Sequence, residues 1–252
     1  MSDLPLILAA FLTSMTAAIG GIAGGVMLIA IMPSFLPPAV VIPIHGVVQI
    51  TSNVSRAFFG FRHIEWRIVR DYSAGCIVGA LLGSRLVPIL AWDNLPLVLG
   101  VFILLFTWMP KPSGEARWPL KFSILGVAQT ALSLFVGVAG PLNMPFLLRE
   151  ELGRDRTVIT HSVQMTFMHS MKVFTFGLLG FAFAPYLQLL VGMTVGAILG
   201  SWAGTKVRAY VPEQVFRTGV RILITILALR MLMQGFEILN AAEIPNLMED
   251  IP

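Results

Sequence analysis

The sequence predicts an all-α polytopic membrane protein of two inverted repeats, each a glycine-broken re-entrant hairpin plus three transmembrane helices, eight apolar segments in total. Three observations predict it: too few charges to coat a soluble core, basic residues confined to four short connections, and a pattern that recurs about 116 positions further on. Of the 252 residues, 56% are hydrophobic and 12% charged, about half the charged share of an ordinary soluble domain. With a mean hydropathy of +0.84, most of the surface has to be solvated by lipid. The pI near 9.6 does not point to nucleic acid, because the basic residues sit in gaps between apolar runs and not on one soluble face. The single cysteine, Cys76, excludes a disulfide framework and a thiolate zinc site; in its apolar run it reads as a small packing residue.

Each element follows from the run of about 20 apolar residues that a helix needs to cross a bilayer. Segment 5–32 has Asp3 and no Lys or Arg ahead of it, so it is expected to be retained and not cleaved as a signal. Its middle reads AAIGGIAGGVML, with Gly20, Gly21, Gly24 and Gly25. Segments 38–60, 71–90 and 94–109 are the first three crossings. Segment 122–148 reads FVGVAGPLNMP at its centre, with Gly137, Gly140 and Pro141; 157–183, 186–205 and 213–238 complete the set. Glycine and proline break helices, although such glycines also suit close helix packing.

Charge placement decides between these readings. Arg62, Arg67, Arg70, Lys111, Arg117, Lys121, Arg149, Arg154, Arg156, Lys206, Arg208 and Arg217 are twelve of the 17 basic residues. Eight simple crossings would split them evenly between the two faces. If segments 5–32 and 122–148 dip in and return, all twelve share one face, which is the cytoplasm by the positive-inside rule. Both termini then lie in the periplasm, with the 33–37 turn, the Asp93 connection, the 183–186 turn and the tail acids Glu243, Glu249 and Asp250.

The repeat is visible residue by residue. Gly21-Ile22-Ala23-Gly24 matches Gly137-Val138-Ala139-Gly140, His45 matches His161, and the Gly79 to Ser84 stretch matches Gly196 to Ser201. The repeats are expected at 1–121 and 122–252. Three crossings per unit is an odd number, so the second unit enters inverted, an arrangement that places substrate near the midplane between broken helices. These glycine clusters, with Met32-Pro33, Pro37-Pro38 and Met144-Pro145, resemble the sulfite exporter TauE/SafE family over essentially the whole chain. The resemblance implies an inner-membrane, multi-pass permease of prokaryotic type, not an enzyme and without a cofactor. Such a permease exports sulfite, sulfonates such as sulfoacetate, or related small sulfur anions by alternating access. The chain departs from the family's glycine signature at Pro141 and Asn143.

Polar side chains inside membrane helices are costly and therefore mark function. His45, Gln49 and Asn53 fall on one helical stripe, and the matching segment carries His161, Gln164, His169 and Lys172. Amides and imidazoles donate hydrogen bonds, a lysine supplies charge, and backbone N–H groups at broken helices attract anions. No cluster of Asp or Glu lies inside a segment, which argues against a metal-ion channel or carboxylate cation pump. The expected substrate-binding set is Gly20, Gly21, Gly24, Gly25, His45, Gln49, Asn53, Gly137, Gly140, Asn143, His161, Gln164, His169 and Lys172, with no metal ligands.

Blander roles stand beside these. The histidines and amides equally suit interhelical hydrogen bonds, and Arg56 reads as a side chain snorkelling to the cytoplasmic edge. Arg85 and Arg230 read as anchors, and Trp66, Trp92, Trp108, Trp118 and Trp202 as an aromatic belt. The expected partners are a small anion and the lipid bilayer; a homo-oligomer is left open, with no interface marked. The alternative function is a non-transport membrane subunit, a scaffold or a haem redox partner using His45, His161 and His169. Neither HExxH nor GxSG occurs, so no intramembrane protease is indicated.

Overall fold

The computed structural model describes residues 3–20, 23–85, 87–89, 94–108 and 120–249, and these are helical with no strand among them. The first apolar segment is divided into α1 (Leu4–Gly20) and α2 (Gly24–Ile31), joined through Ala23, whose φ is +85°. A 3-10 turn at Met32–Ser34 and the extended Pro37 lead into α3 (Pro38–Phe59). Then come α4 (Trp66–Ser84), α5 (Leu95–Trp108) and α6 (Lys121–Val136), the last stopped by Gly137 at φ +66°. After the break lie α7 (Met144–Leu148), α8 (Arg154–Leu178), α9 (Leu187–Val207) and α10 (Glu213–Glu249). At 1.5 Å per residue α2 and α7 are about 12 and 8 Å long, too short to cross a hydrocarbon core of about 30 Å, whereas α3 and α9 reach about 32 Å. Two stretches, Ala184–Tyr210 and Thr218–Glu237, are long and apolar enough to cross a membrane by length and composition.

Some boundaries move. Helix α4 begins at Trp66 and not at 71, because the charged turn through Arg70 and Asp71 stays helical while its side chains reach outward. Helix α8 ends at Leu178 and not at 183, because Gly180 turns the chain with φ +88°. Helix α10 runs eleven residues past its expected end at 238. The Asp93 connection, Trp92, Trp118, Lys111 and Arg117 lie outside the described residues.

Packing is reciprocal between the two halves of the chain. Helix α1 lies along α9, α6 along α4, α3 against α8 and α5 against α10. Glycine stripes make the first two pairings close. A Cβ on Gly75 or Gly79 would meet the carbonyl oxygens of Ser123 and Val127 at 2.0 and 2.3 Å, and one on Gly200 or Gly204 those of Phe11 and Met15 at 2.1 and 2.4 Å. Bare backbone is the only surface that fits there. In both pairs the partner residue number rises with the glycine number, so the paired helices run parallel.

The outside of this bundle is apolar. Leu12, Leu81, Leu105, Phe174, Val191 and Ile226 are all more than half exposed, while Gln49, Asn53, Gln129, Gln164 and Lys172 are buried. That inversion suits a lipid solvent. Trp66, Trp108 and Trp202 are exposed near helix ends, where indole favours the membrane interface.

The basic connections meet at one end of the bundle. Arg156 Nη1 lies 3.4 Å from Glu65 Oε2, Arg208 Nη2 lies 3.1 Å from Asp155 Oδ1, and Lys121 pairs with Glu150. The Glu65 backbone N–H also donates to Thr160 Oγ1 at 3.0 Å. The 61–65 turn and the start of α8 are therefore neighbours.

Candidate functional site: a cation at two helix breaks

The two helix breaks border one cavity of about 30 Å³, room for about two waters or an ion of a few atoms. The first break gives Ala23, Gly24, Gly25 and Val26, and the second gives Val138 and Gly140. Gln49, Asn53 and Arg56 reach it from α3, and His161, Met165 and His169 from α8. Glycine is required for space at Gly24, and Gly25 is closely packed. A Cβ on Gly24 would lie 2.2 Å from Thr13 O, and one on Gly25 would press on the Gln49 carboxamide at 3.2 Å.

Arg56 is the charged member of this lining and is only 5% exposed. It does not snorkel. Its Nε donates to Ser162 Oγ at 3.1 Å, Nη1 to Ser52 Oγ at 3.4 Å, and Nη2 to Asn53 Oδ1. All three acceptors are neutral, and a guanidinium has five N–H groups, so two remain to be donated and the charge is uncompensated. No Asp or Glu is buried among the described residues. Facing Arg56 is the N-terminus of α2, which has no side-chain cap; its leading N–H groups and the helix dipole add positive potential. Gln49 and His169 make no side-chain hydrogen bond within the described residues and are available to a bound species.

The histidines take equivalent places. His45 Nε2 lies 2.9 Å from Gly25 O and His161 Nε2 lies 3.1 Å from Gly140 O. A carbonyl only accepts, so both Nε2 atoms carry the proton and both Nδ1 atoms are acceptors. His45 Nδ1 accepts from Lys172 Nζ at 3.3 Å, whereas His161 Nδ1 has no partner. The His45 and His169 rings meet edge to face, with centroids 5.6 Å apart.

Of the residues expected from the sequence, Gly24, Gly25, Gln49, Asn53, Gly140, His161 and His169 line the cavity. His45 and Lys172 lie behind it; the Lys172 ammonium donates to Gly137 O at 2.8 Å. Asn143 and Gln164 bond to each other at 2.9 Å, away from the cavity. Gly20 ends α1 without lining the cavity, and Gly21 lies outside the described residues. The second break leads into a helix of five residues, so it presents no half-helix comparable to α2.

Sequence reasoning missed three contributors. Arg56 carried a signal that was available: it stands 116 positions before Lys172, the offset that relates His45 to His161. Tyr72 and Gln129 carried none. Gln129 Nε2 donates to the carbonyl of Ala139 in the second break at 2.5 Å, and Tyr72 Oη donates to Gln129 Oε1 at 2.7 Å. This pair fixes the direction of the break from behind.

The arrangement can hold a small anion between an uncompensated guanidinium and a helix N-terminus. No curated protein and no solved structure matches the chain. One protein family does, over residues 6–231 of 252, spanning both breaks, Arg56 and Lys172; by that match the chain belongs to the sulfite exporter TauE/SafE family, a family of membrane permeases.

Proposed function

We propose that this permease exports sulfite and small organosulfonates such as sulfoacetate across the inner membrane by alternating access. The carrying observation is the buried Arg56, bound only to neutral oxygens and facing the uncapped N-terminus of α2 across a cavity. A buried cation without a partner is costly, and a bound oxyanion supplies the missing charge. Arginine suits the task, since its planar fork can give two N–H groups to one oxyanion.

The chain is read as two inverted repeats, 1–121 and 122–252, each with a re-entrant hairpin and three crossings. Supporting this are the reciprocal helix pairings and the paired His45–Gly25 and His161–Gly140 hydrogen bonds. The clustered basic connections favour a cytoplasmic position for that end, which leaves both termini in the periplasm. Transport then exposes the site alternately as one group of helices shifts against the other.

Purified protein in liposomes loaded with sulfite is expected to release it faster than protein-free liposomes, with sulfoacetate competing and sodium chloride not competing. Release at the protein-free rate for both sulfur anions would remove this reading. The Tyr72–Gln129 clamp gives a finer test. Gln129→Leu leaves the Ala139 carbonyl unpaired, at a cost of about 1–3 kcal/mol, and is expected to raise the KM for sulfite about tenfold. Tyr72→Phe keeps the glutamine and is expected to have a smaller effect on the same KM.

A further inference from the structure

We propose that Lys172 is a second anion station, reached from the face opposite to the one that reaches Arg56. This rests on the anion-transport reading above and adds a separate site to it. Arg56 and Lys172 are the buried Lys and Arg side chains among the described residues, and they occupy the same position in the two halves, 116 residues apart. Each sits beside a helix break and its histidine, yet in this structure only Arg56 opens onto the cavity.

Lys172 is fully enclosed and donates to Gly137 O at 2.8 Å and to His45 Nδ1 at 3.3 Å. Neither acceptor carries negative charge. The same His45 ring passes its Nε2–H to Gly25 O, so a continuous hydrogen-bonded line runs from the second break to the first. An ammonium has three N–H groups, and an oxyanion taking the place of the Gly137 carbonyl would complete this station as it would that of Arg56. Gly137 has the backbone freedom to release that carbonyl, since its φ of +66° lies in the left-handed region that favours glycine.

Depth separates the two stations. Arg56 is three residues from the end of α3, at the basic end of the bundle, and holds Ser162 on α8. Lys172 lies ten residues further along α8, about 15 Å along its axis, toward the Gly180 turn. A shift of an anion from Arg56 to Lys172 would run along the bundle, away from the basic end.

The test is two-sided labelling in a Cys76→Ala background, using a membrane-impermeant, negatively charged methanethiosulfonate on sealed vesicles of each orientation. Arg56→Cys is expected to react about tenfold or more faster from the face of the basic connections, and Lys172→Cys about tenfold or more faster from the opposite face, since minor conformations hold about 0.1–10% of the population. Preferential reaction of both cysteines from one face, or no reaction of Lys172→Cys from either, overturns the second station. Loss of sulfite flux in the parent protein with the opposed labelling intact would sink the substrate and leave the two stations standing. As a companion, Lys172→Arg is expected to keep flux, and Lys172→Gln to raise KM about tenfold or more for sulfite offered from the face opposite the basic connections. Equal KM changes from both faces also overturn the proposal.

Discussion

Arg56→Gln is expected to lower sulfite efflux from loaded liposomes about 100-fold, corresponding to about 3 kcal/mol. The figure follows from removing a buried, hydrogen-bonded charge that faces the ligand. The direction of the stability change separates this role from a structural one. Arg56 bonds only to Ser162, Ser52 and Asn53, with no carboxylate to strand, so deleting its charge relieves desolvation cost without orphaning an anion. The variant should therefore melt in detergent no lower than the parent. Arg56→Lys keeps the charge but loses the two-pronged donor, and is expected to recover part of the flux. A variant that transports normally, or one that loses flux only because it unfolds, would show that the cavity cation does not bind substrate.

The largest effect on stability is expected from Gly200→Val and Gly79→Val. A Cβ at these positions would lie 2.1 Å from Phe11 O and 2.3 Å from Val127 O. The obstacle is backbone, which cannot swing aside, so the paired helices have to separate. Overpacking of this kind costs about 3 kcal/mol, and is expected to appear as a drop in detergent melting temperature and loss of a monodisperse chromatographic peak. Gly219 in α10 is the control, because a Cβ there meets nothing within 4 Å. Gly219→Ala should raise stability slightly, by up to about 1 kcal/mol of helix propensity. If the three variants melt alike, the glycine stripes are not what brings α1 to α9 and α4 to α6.

Much of the protein was legible before any coordinates. Mean hydropathy and the scarcity of charge set the solvent, and glycine clusters located both helix breaks to within a few residues. The stripe of His45, Gln49 and Asn53 was readable because a helix repeats every 3.6 residues and places i, i+4 and i+8 on one face. The twelve basic residues located the connections, and the described ones among them share an end. Helix ends were less legible: α4 starts five residues early because charged side chains at an interface are compatible with helix, and hydropathy does not register that.

The site was legible only in part. Arg56 sits near the end of an apolar run, where a sequence reads it as reaching for water; burial by α8 and the Ser162 hydroxyl turn it inward. Lys172 reads as a site residue by its mid-segment position, yet packing tethers it to the Gly137 carbonyl behind the cavity. Asn143 and Gln164 satisfy one another instead of facing a ligand. Gln129 and Tyr72 act through contacts 10 and 57 residues apart in sequence, which no local pattern encodes.

By itself, then, the sequence determined the solvent, the helices, the two breaks and the family, because each depends on composition, periodicity or the conformational freedom of glycine, all local properties of the chain. Only the tertiary structure decided which polar groups meet and which stay uncompensated. Hydrogen bonds form over about 3 Å, and whether a guanidinium or an ammonium opens onto the cavity depends on how α1, α2, α6 and α8 pack around it.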